Sequence, residues 1–313
     1  MNQKHQTMLK RTLLFSNPYH LSTTSNQLVV NTKGNGTSRT VPIEDLGFVV
    51  LEHPQITFTQ SAMQLLSENN TAVVFCNNKY LPVSMLLNLN ANTVQTETFR
   101  YQLNASEPLK KQIWQQTIKA KIRNQAAALD LANFSKVENF GKVGLGNEAL
   151  LHIAKNVKSG DVTNREGEAA RRYWPLFFGR DFARERFGES PNPALNYGYA
   201  IIRAATARAL SGSGLLPILG IHHRNKYNAY CLADDIMEPY RPIVDLQVKD
   251  MLENEMDCED LKQDSKACLL ELLSADVQMG KNKRPLMVAL SETTASLAKV
   301  FKGESKKMKY PQL

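Results

Sequence analysis

In the first 90 positions, apolar residues occur as short runs, and these runs are separated by residues typical of turns. The run Leu46–Leu51 is continuously apolar, which predicts a buried strand. The segments 27–32 and 39–43 flank a glycine-containing turn at 33–37, so they predict a β-hairpin. The same reasoning predicts a helix over 59–66 and another strand over 71–76.

The pattern changes to helical spacing after a polar segment rich in Thr, Gln and Asn. Ser106 followed by Pro108 predicts a helix start, and apolar residues from Ile113 to Leu131 continue at helical spacing. Further helices are predicted over 163–178, 196–210, 248–273 and 293–301. The predicted fold class is therefore α+β, with an N-terminal β-rich domain over 1–90, a linker over 91–104 and a larger all-α C-terminal domain over 105–313.

Length and charge narrow the function classes. The 313 residues suffice for two domains, and the ordinary composition excludes disordered and collagen-like classes. A net charge of +8 favours a polyanionic partner, with nucleic acid first and an anionic membrane second. Five basic residues between Lys110 and Ala128 fit either a phosphate-facing or a solvated helix face. The basic segment 281–310 fits either a phosphate contact or a solvated, frayed terminus.

The cysteine and hydropathy patterns indicate a reduced compartment. None of the four cysteines forms a CxxC pair, and the chain has neither a signal-peptide pattern nor an apolar run near 18 residues. We therefore expect a cytoplasmic protein without disulfides and without a membrane segment.

The segment 220–245 concentrates groups that bind metal ions. It holds two histidines and four carboxylates among apolar residues. Imidazole and carboxylate together suit a divalent cation, and oxygen ligands favour Mg²⁺ or Mn²⁺. Asp235 and Glu238 are three residues apart and share a face if the segment is helical. The alternative is that Asp234 or Asp235 caps a helix, that Glu238 is a surface residue and that both histidines are ordinary loop residues.

Glu166 has two interpretations from the sequence alone. Thr163-x-x-Glu166 matches a capping box, in which the glutamate side chain bonds to the backbone of the cap residue. Gly167, however, lies just inside the predicted helix, where it costs about 1 kcal/mol relative to alanine. Its presence suggests that another group packs close to Glu166.

Three motifs in this order resemble one family. They are Asn164-Arg165-Glu166-Gly167 with Ala169-Ala170 and Tyr173, then Gly220-x-x-His223, then Asp235-Ile236-Met237-Glu238-Pro239-Tyr240-Arg241-Pro242-x-Val244-Asp245. Together they resemble the CRISPR-associated adaptation integrase, the universal spacer-acquisition endonuclease. The order of β and helical segments extends the likeness over nearly the whole chain. The Lys226-Tyr227-Asn228 variant and the length are most similar to members from single-effector (type II) systems.

The resemblance implies a metal site and an activity. One Mg²⁺ or Mn²⁺ ion is expected on Glu166, His223 and Glu238, with Asp235 as an accessory catalytic acid. His222 is an additional imidazole, although the motif spacing favours His223. The implied reaction inserts short captured DNA into a CRISPR array by attack of its 3′-OH, and water in place of that hydroxyl gives endonuclease activity.

The resemblance also implies partners. These are double-stranded DNA, a second copy of the chain and a small ferredoxin-like adaptation subunit that bridges two dimers into a heterohexamer. The effector nuclease and an accessory adaptation protein are further expected partners. Candidate phosphate contacts, each with a structural ion pair as the alternative, are Arg165, Arg172, Arg224 and Arg241. Two other functions stay open: a metal-dependent nuclease on branched DNA in repair, and a non-catalytic DNA-binding scaffold.

Overall fold

The computed structural model describes residues 10–33, 36–78, 80–88, 91–134 and 145–313. These residues form two compact units, Met1–Ala91 and Asn92–Leu313. The chain is mixed α/β, with strands in the N-terminal part and mainly helices in the C-terminal part. No helix within these ranges combines the length and the apolar character needed to cross a membrane.

The first unit contains two four-stranded sheets within its described residues. In one, β1, β5 and β7 run parallel and β8 pairs antiparallel with β7. In the other, β4, β3 and β2 form an antiparallel meander, and β6 joins β2 in parallel. The strands are β1 (Arg11–Phe15), β2 (Tyr19–Thr24), β3 (Gln27–Thr32), β4 (Ser38–Pro42), β5 (Leu46–Leu51), β6 (Thr57–Phe58), β7 (Ala72–Cys76) and β8 (Pro82–Leu86).

The local predictions for this unit are confirmed. Strands β3 and β4 pair antiparallel with Val29 opposite Thr40, although Gly34 and Asn35 of their turn lie outside the described residues. Every residue of β5 is buried. The predicted helix is α1 (Gln60–Glu68), and the Thr59 side chain caps it by accepting from the Ala62 amide. Leu21, Leu28 and Leu66 are among the apolar side chains that form the core.

The second unit is built on the long helix α3. Buried residues such as Trp114, Ile118 and Ile122 line one side of this helix, and Ser106 accepts from the Leu109 amide at its start. Helices α4, α5, α7 and α8 pack against it. The helices are α2 (Gln95–Leu103), α3 (Glu107–Phe134), α4 (Leu145–Lys155), α5 (Arg165–Phe178), α6 (Asn192–Gly212), α7 (Cys231–Met237), α8 (Arg241–Glu253), α9 (Gln263–Glu271) and α10 (Leu286–Phe301).

Two expectations for the C-terminal part are wrong. The predicted linker over 91–104 contains helix α2. Gln102 of this helix is buried, and its side-chain amide nitrogen donates to the carbonyls of Leu216 and Leu219. The unit is not all-α, since β9 (Asp276–Met279) and β10 (Asn282–Pro285) form an antiparallel hairpin. Both elements are polar and short, so apolar periodicity does not reveal them.

The C-terminal residues pack on α3 and are not frayed. The Tyr310 hydroxyl lies 2.6 Å from the Thr117 hydroxyl, and the Asn124 amide donates to the Pro311 carbonyl at 3.1 Å. Gln312 donates to the carbonyl of Gln278 next to the hairpin. The frayed alternative for this terminus is therefore wrong. The four cysteines are free thiols, as predicted.

Candidate metal centre

Helix α5 begins in a way that frees the Glu166 side chain. Asn164 adopts a left-handed conformation at φ 50° and accepts from the Gly167 amide, while both carboxylate oxygens of Asp161 accept from the amides of Arg165 and Glu166. The predicted Thr163–Glu166 capping box is therefore wrong. Gly167 is required because a Cβ there would lie 2.8 Å from the Asn164 side chain. The group that packs here is the cap itself.

The freed carboxylate of Glu166 faces that of Glu238 across the ammonium of Lys121. Lys121 Nζ lies 2.5 Å from Glu166 Oε1 and 2.6 Å from Glu238 Oε2. Burial alone would lower the pKa of Lys121, but the two carboxylates outweigh it, so its pKa is raised. Lys121 belongs to the basic face predicted on α3, yet its charge points into this site. The solvated and phosphate-facing interpretations both fail for Lys121 in this structure.

Glu238 is fixed in a buried turn between α7 and α8. Its side chain pairs with Arg241 at 3.0 Å, and Asn124 holds the next carbonyl, that of Pro239, at 2.7 Å. Burial alone would raise the pKa of Glu238, but Arg241 and Lys121 outweigh it and hold the pKa below its ordinary value. The carboxylate is therefore kept ionised. The surface interpretation of Glu238 is wrong, since the residue is only 3% exposed.

Asp235 organises the loop that carries His223. Its carboxylate accepts from the backbone amides of Ile221, His222 and His223 at 2.7, 3.0 and 3.2 Å, and contacts His223 Nδ1 at 2.6 Å. This contact to Asp235 is the main reason that the pKa of His223 is raised. Gly220 permits the tight loop, because a Cβ there would lie 2.3 Å from the His223 carbonyl oxygen.

The two neighbouring histidines have different environments. The His222 ring stacks on buried Trp114, with the centroids 4.1 Å apart and the planes 3° from parallel. The His223 ring is anchored at Nδ1 by Asp235, so Nε2 is the nitrogen left for a ligand. Because a histidine that binds a metal ordinarily holds a carboxylate or carbonyl on its second nitrogen, His223 has the better arrangement.

The donor set fits a hard divalent cation. Two carboxylates converge on one cationic position, and the His223 ring, oriented by Asp235, is the nitrogen donor that such a set would use. The buried Oε2 atom of Glu238 lies 2.6 Å from Lys121 Nζ, but the geometry of this contact is not that of a hydrogen bond. Within the described ranges, no three His, Cys, Asp or Glu side chains are gathered so that they hold a metal ion directly. The ammonium of Lys121 occupies the space between the two carboxylates instead.

The four candidate arginines differ in exposure and in the groups they contact. Arg172 and Arg224 have 55% and 65% exposed side chains. Arg172 lies 3.6 Å from Glu168, whereas Arg224 makes a close, hydrogen-bonded ion pair with Glu107. Arg165 pairs with Glu168 at 2.5 Å. Arg241 lies between Glu238 and the face of Tyr199, whose ring centroid is 4.7 Å away. We therefore assign Arg241 the role of holding Glu238 in place, and not that of contacting phosphate.

A second buried carboxylate, Asp245, links α5, the helix that bears Glu166, to α6 and α8. Asp245 on α8 accepts from the hydroxyls of Tyr173 on α5, at 3.0 Å, and Tyr199 on α6. The residue was part of the third sequence motif, but spacing did not reveal this role. Lys121 was also missed as a site residue, since nothing in its local sequence distinguishes it from the other lysines of α3.

Asp245 makes the stability of the fold depend on pH. Burial raises its pKa to about 7, against the opposing effect of the two tyrosine hydroxyls. In the unfolded chain the Asp245 carboxyl loses its proton at about pH 4. Between the unfolded and the folded pKa, the folded state binds more protons than the unfolded state. The free energy of unfolding therefore falls as pH rises. We expect Asp245→Asn to remove this fall, which urea unfolding at pH 5 and pH 8 measures. Parallel pH profiles for the two proteins would contradict the assignment.

The comparisons with known proteins agree with this architecture. The family model described as CRISPR associated protein Cas1 matches residues 13–274. A CRISPR-associated endonuclease Cas1 from Neisseria meningitidis is 34% identical over 307 residues, which cover 98% of this chain and 97% of that protein. A casposase bound to integration product superposes with a TM-score of 0.79 at 21% identity, covering 95% of this chain and 92% of its own. A chain of a Cas6-RT-Cas1–Cas2 complex gives a TM-score of 0.70 at 20% identity, covering 96% and 36%.

Proposed function

The chain belongs to the CRISPR-associated Cas1 family, and from this premise we propose that it is a metal-dependent DNA integrase and endonuclease. Its reaction inserts short captured DNA into a CRISPR array. The observation that carries the proposal is the convergence of the Glu166 and Glu238 carboxylates on one cationic position. Asp235 orients the ring of His223, the third proposed ligand.

The chain's own residues prepare the site for phosphodiester chemistry. Glu166 and Glu238 offer anionic oxygens, and His223 offers Nε2 while Asp235 fixes its ring. Arg241 and the carbonyl anchor at Asn124 keep the Glu238 turn in place. Glu166, His223 and Glu238 would hold the Mg²⁺ or Mn²⁺ ion, which would supply Lewis-acid polarisation of the phosphate and a lower pKa for the attacking hydroxyl.

The proposed reaction is a transesterification. The 3′ oxygen of the captured duplex forms a bond to a phosphorus at the repeat end, and the bond from that phosphorus to the 3′ oxygen of the target strand breaks. The incoming hydroxyl gives up its proton and the leaving oxygen gains one, so no covalent protein nucleophile is needed. With water as the attacking group, the same site hydrolyses the strand.

The proposed partners rest on the family and on two solved structures of similar fold. A casposase bound to integration product and a complex containing Cas1 and Cas2 support double-stranded DNA and a small Cas2-type subunit as partners here. We propose a homodimer, with two dimers bridged by the small subunit into a heterohexamer. The exposed arginines Arg172 and Arg224 are the best candidates for phosphate contacts, and Arg165 is a weaker one.

The test of the proposed function is strand transfer by the purified protein. A labelled duplex is incubated with a supercoiled plasmid carrying a CRISPR repeat, in Mg²⁺, Mn²⁺ or EDTA, with and without the small subunit. We expect joined product that depends on the metal. Cleavage without joining under every condition favours the repair nuclease, and DNA binding with neither reaction favours the scaffold.

A further inference from the structure

Lys121 occupies the position that the proposed metal site requires. Its ammonium is the group that Glu166 and Glu238 share, and its side chain is only 11% exposed. The lysine lies on α3, Glu166 on α5 and Glu238 in the turn after α7. One side chain thus joins three separate segments of the second unit.

The buried carboxylate of Glu238 needs positive charge beside it whether or not a metal ion is present. Glu238 is buried, and an ionised carboxylate away from water is strongly unfavourable unless a positive charge pairs with it. Arg241 contacts Glu238 at Oε1, and Lys121 contacts its other oxygen, Oε2. Lys121 is also the cation that reaches Glu166 among the contacts of the described residues.

A metal ion and this ammonium cannot share the position. Mg²⁺ binds carboxylate oxygens at about 2.0–2.1 Å, so an ion between the same two oxygens would stand where Lys121 Nζ stands. The oxygens are already placed for a single bridging cation, and the exchange needs only a small approach of the two side chains. The positive charge of the lysine then has to leave the bridge.

We propose that Lys121 is the resident counterion of the metal-ligand carboxylates, that it holds Glu166 and Glu238 together in the metal-free protein, and that a divalent metal binds only by displacing it. This inference rests on the metal site of the proposed function. It assigns Lys121 as a positioning residue that makes the metal-free state stable and lowers the apparent affinity for the metal.

The test compares Mn²⁺ binding by wild type, Lys121→Met and Lys119→Met, with isothermal titration calorimetry and thermal unfolding. Lys119→Met is the matched control, because that lysine lies on the same helix and makes no ion pair among the contacts of the described residues. We expect Lys121→Met to bind Mn²⁺ at least tenfold more tightly and to melt at a lower temperature than wild type without metal. Saturating Mn²⁺ should remove most of that difference, and Lys119→Met should behave like wild type.

Equal or weaker Mn²⁺ binding by Lys121→Met overturns the inference. If that variant does not fold, the lysines of the wild type are acetylated with and without Mn²⁺ and the products are analysed by peptide mapping. The ratio of the Lys121 to the Lys119 acetylation rate should be higher with Mn²⁺. An unchanged ratio overturns the displacement. If neither wild type nor Lys121→Met binds Mn²⁺, the metal site itself fails. If Mn²⁺ binds as expected but no strand transfer occurs, this inference stands and the proposed integrase function is wrong.

Discussion

Glu238→Gln is expected to lower the rate of strand transfer by at least roughly 100-fold, the loss typical when a group that stabilises transition-state charge is removed. The amide keeps the shape of the buried side chain but removes the negative charge that faces Lys121 and Arg241. A neutral amide is also a much weaker ligand for Mg²⁺ or Mn²⁺ than a carboxylate. Binding of duplex DNA should persist, because the exposed arginines that are candidates for phosphate contact are unchanged.

The measurement is the initial rate of joined product, with DNA affinity determined in parallel by fluorescence anisotropy. Glu271→Ala is the matched control, because this acid is exposed on α9 in the same unit. The control should retain the wild-type rate. Wild-type integration by Glu238→Gln, with the fold intact by circular dichroism, would remove Glu238 from the metal site.

Asp235→Ala is expected to damage both the fold and the metal site. Three backbone amides and the ring of His223 lose their acceptor. The bond from the Ile221 amide is buried, and a buried donor left without a partner costs roughly 1–3 kcal/mol. The expected loss of stability is therefore at least about 1 kcal/mol. Because the carboxylate also orients His223, we expect a 10–100-fold weaker affinity for Mn²⁺, which is the range typical for loss of such a supporting group.

Urea unfolding and Mn²⁺ titration check these two effects. The neighbouring Asp234→Ala is a useful comparison, since Asp234 pairs with Arg203 and Asn228 and does not contact His223 among the contacts of the described residues. It should lower stability without a comparable loss of metal affinity. Unaltered Mn²⁺ affinity in folded Asp235→Ala would show that Asp235 does not position the imidazole.

The sequence supplied the candidate ligands, which stay a prediction, but it did not reveal their environment. The motif order selected Glu166, His223 and Glu238, and those carboxylates do face each other. Lys121 could not be found in the same way, because it is 45 residues from Glu166 and lies on a helix with several other lysines. Only the packing of α3 against α5 and the Glu238 turn brings its charge into the site.

Local patterns failed where backbone conformation decided the outcome. The spacing from Thr163 to Glu166 matches a capping box, but Asp161 and Asn164 both have positive φ and move the cap to Asn164. Polar composition hid α2, whose buried face includes Thr98 and Gln102. The hairpin of β9 and β10 has only four residues in each strand, which is too short for a clear alternation.

Strand transfer with two matched duplexes shows whether a 3′-OH is the attacking group at this site. One duplex carries ordinary 3′-OH ends and the other carries 3′-dideoxy ends, and each is given to wild type and to His223→Ala with Mn²⁺ and repeat-bearing plasmid. We expect joined product only from wild type with the 3′-OH duplex. Joined product from the dideoxy duplex, or undiminished product from His223→Ala, would contradict 3′-OH transesterification at this site.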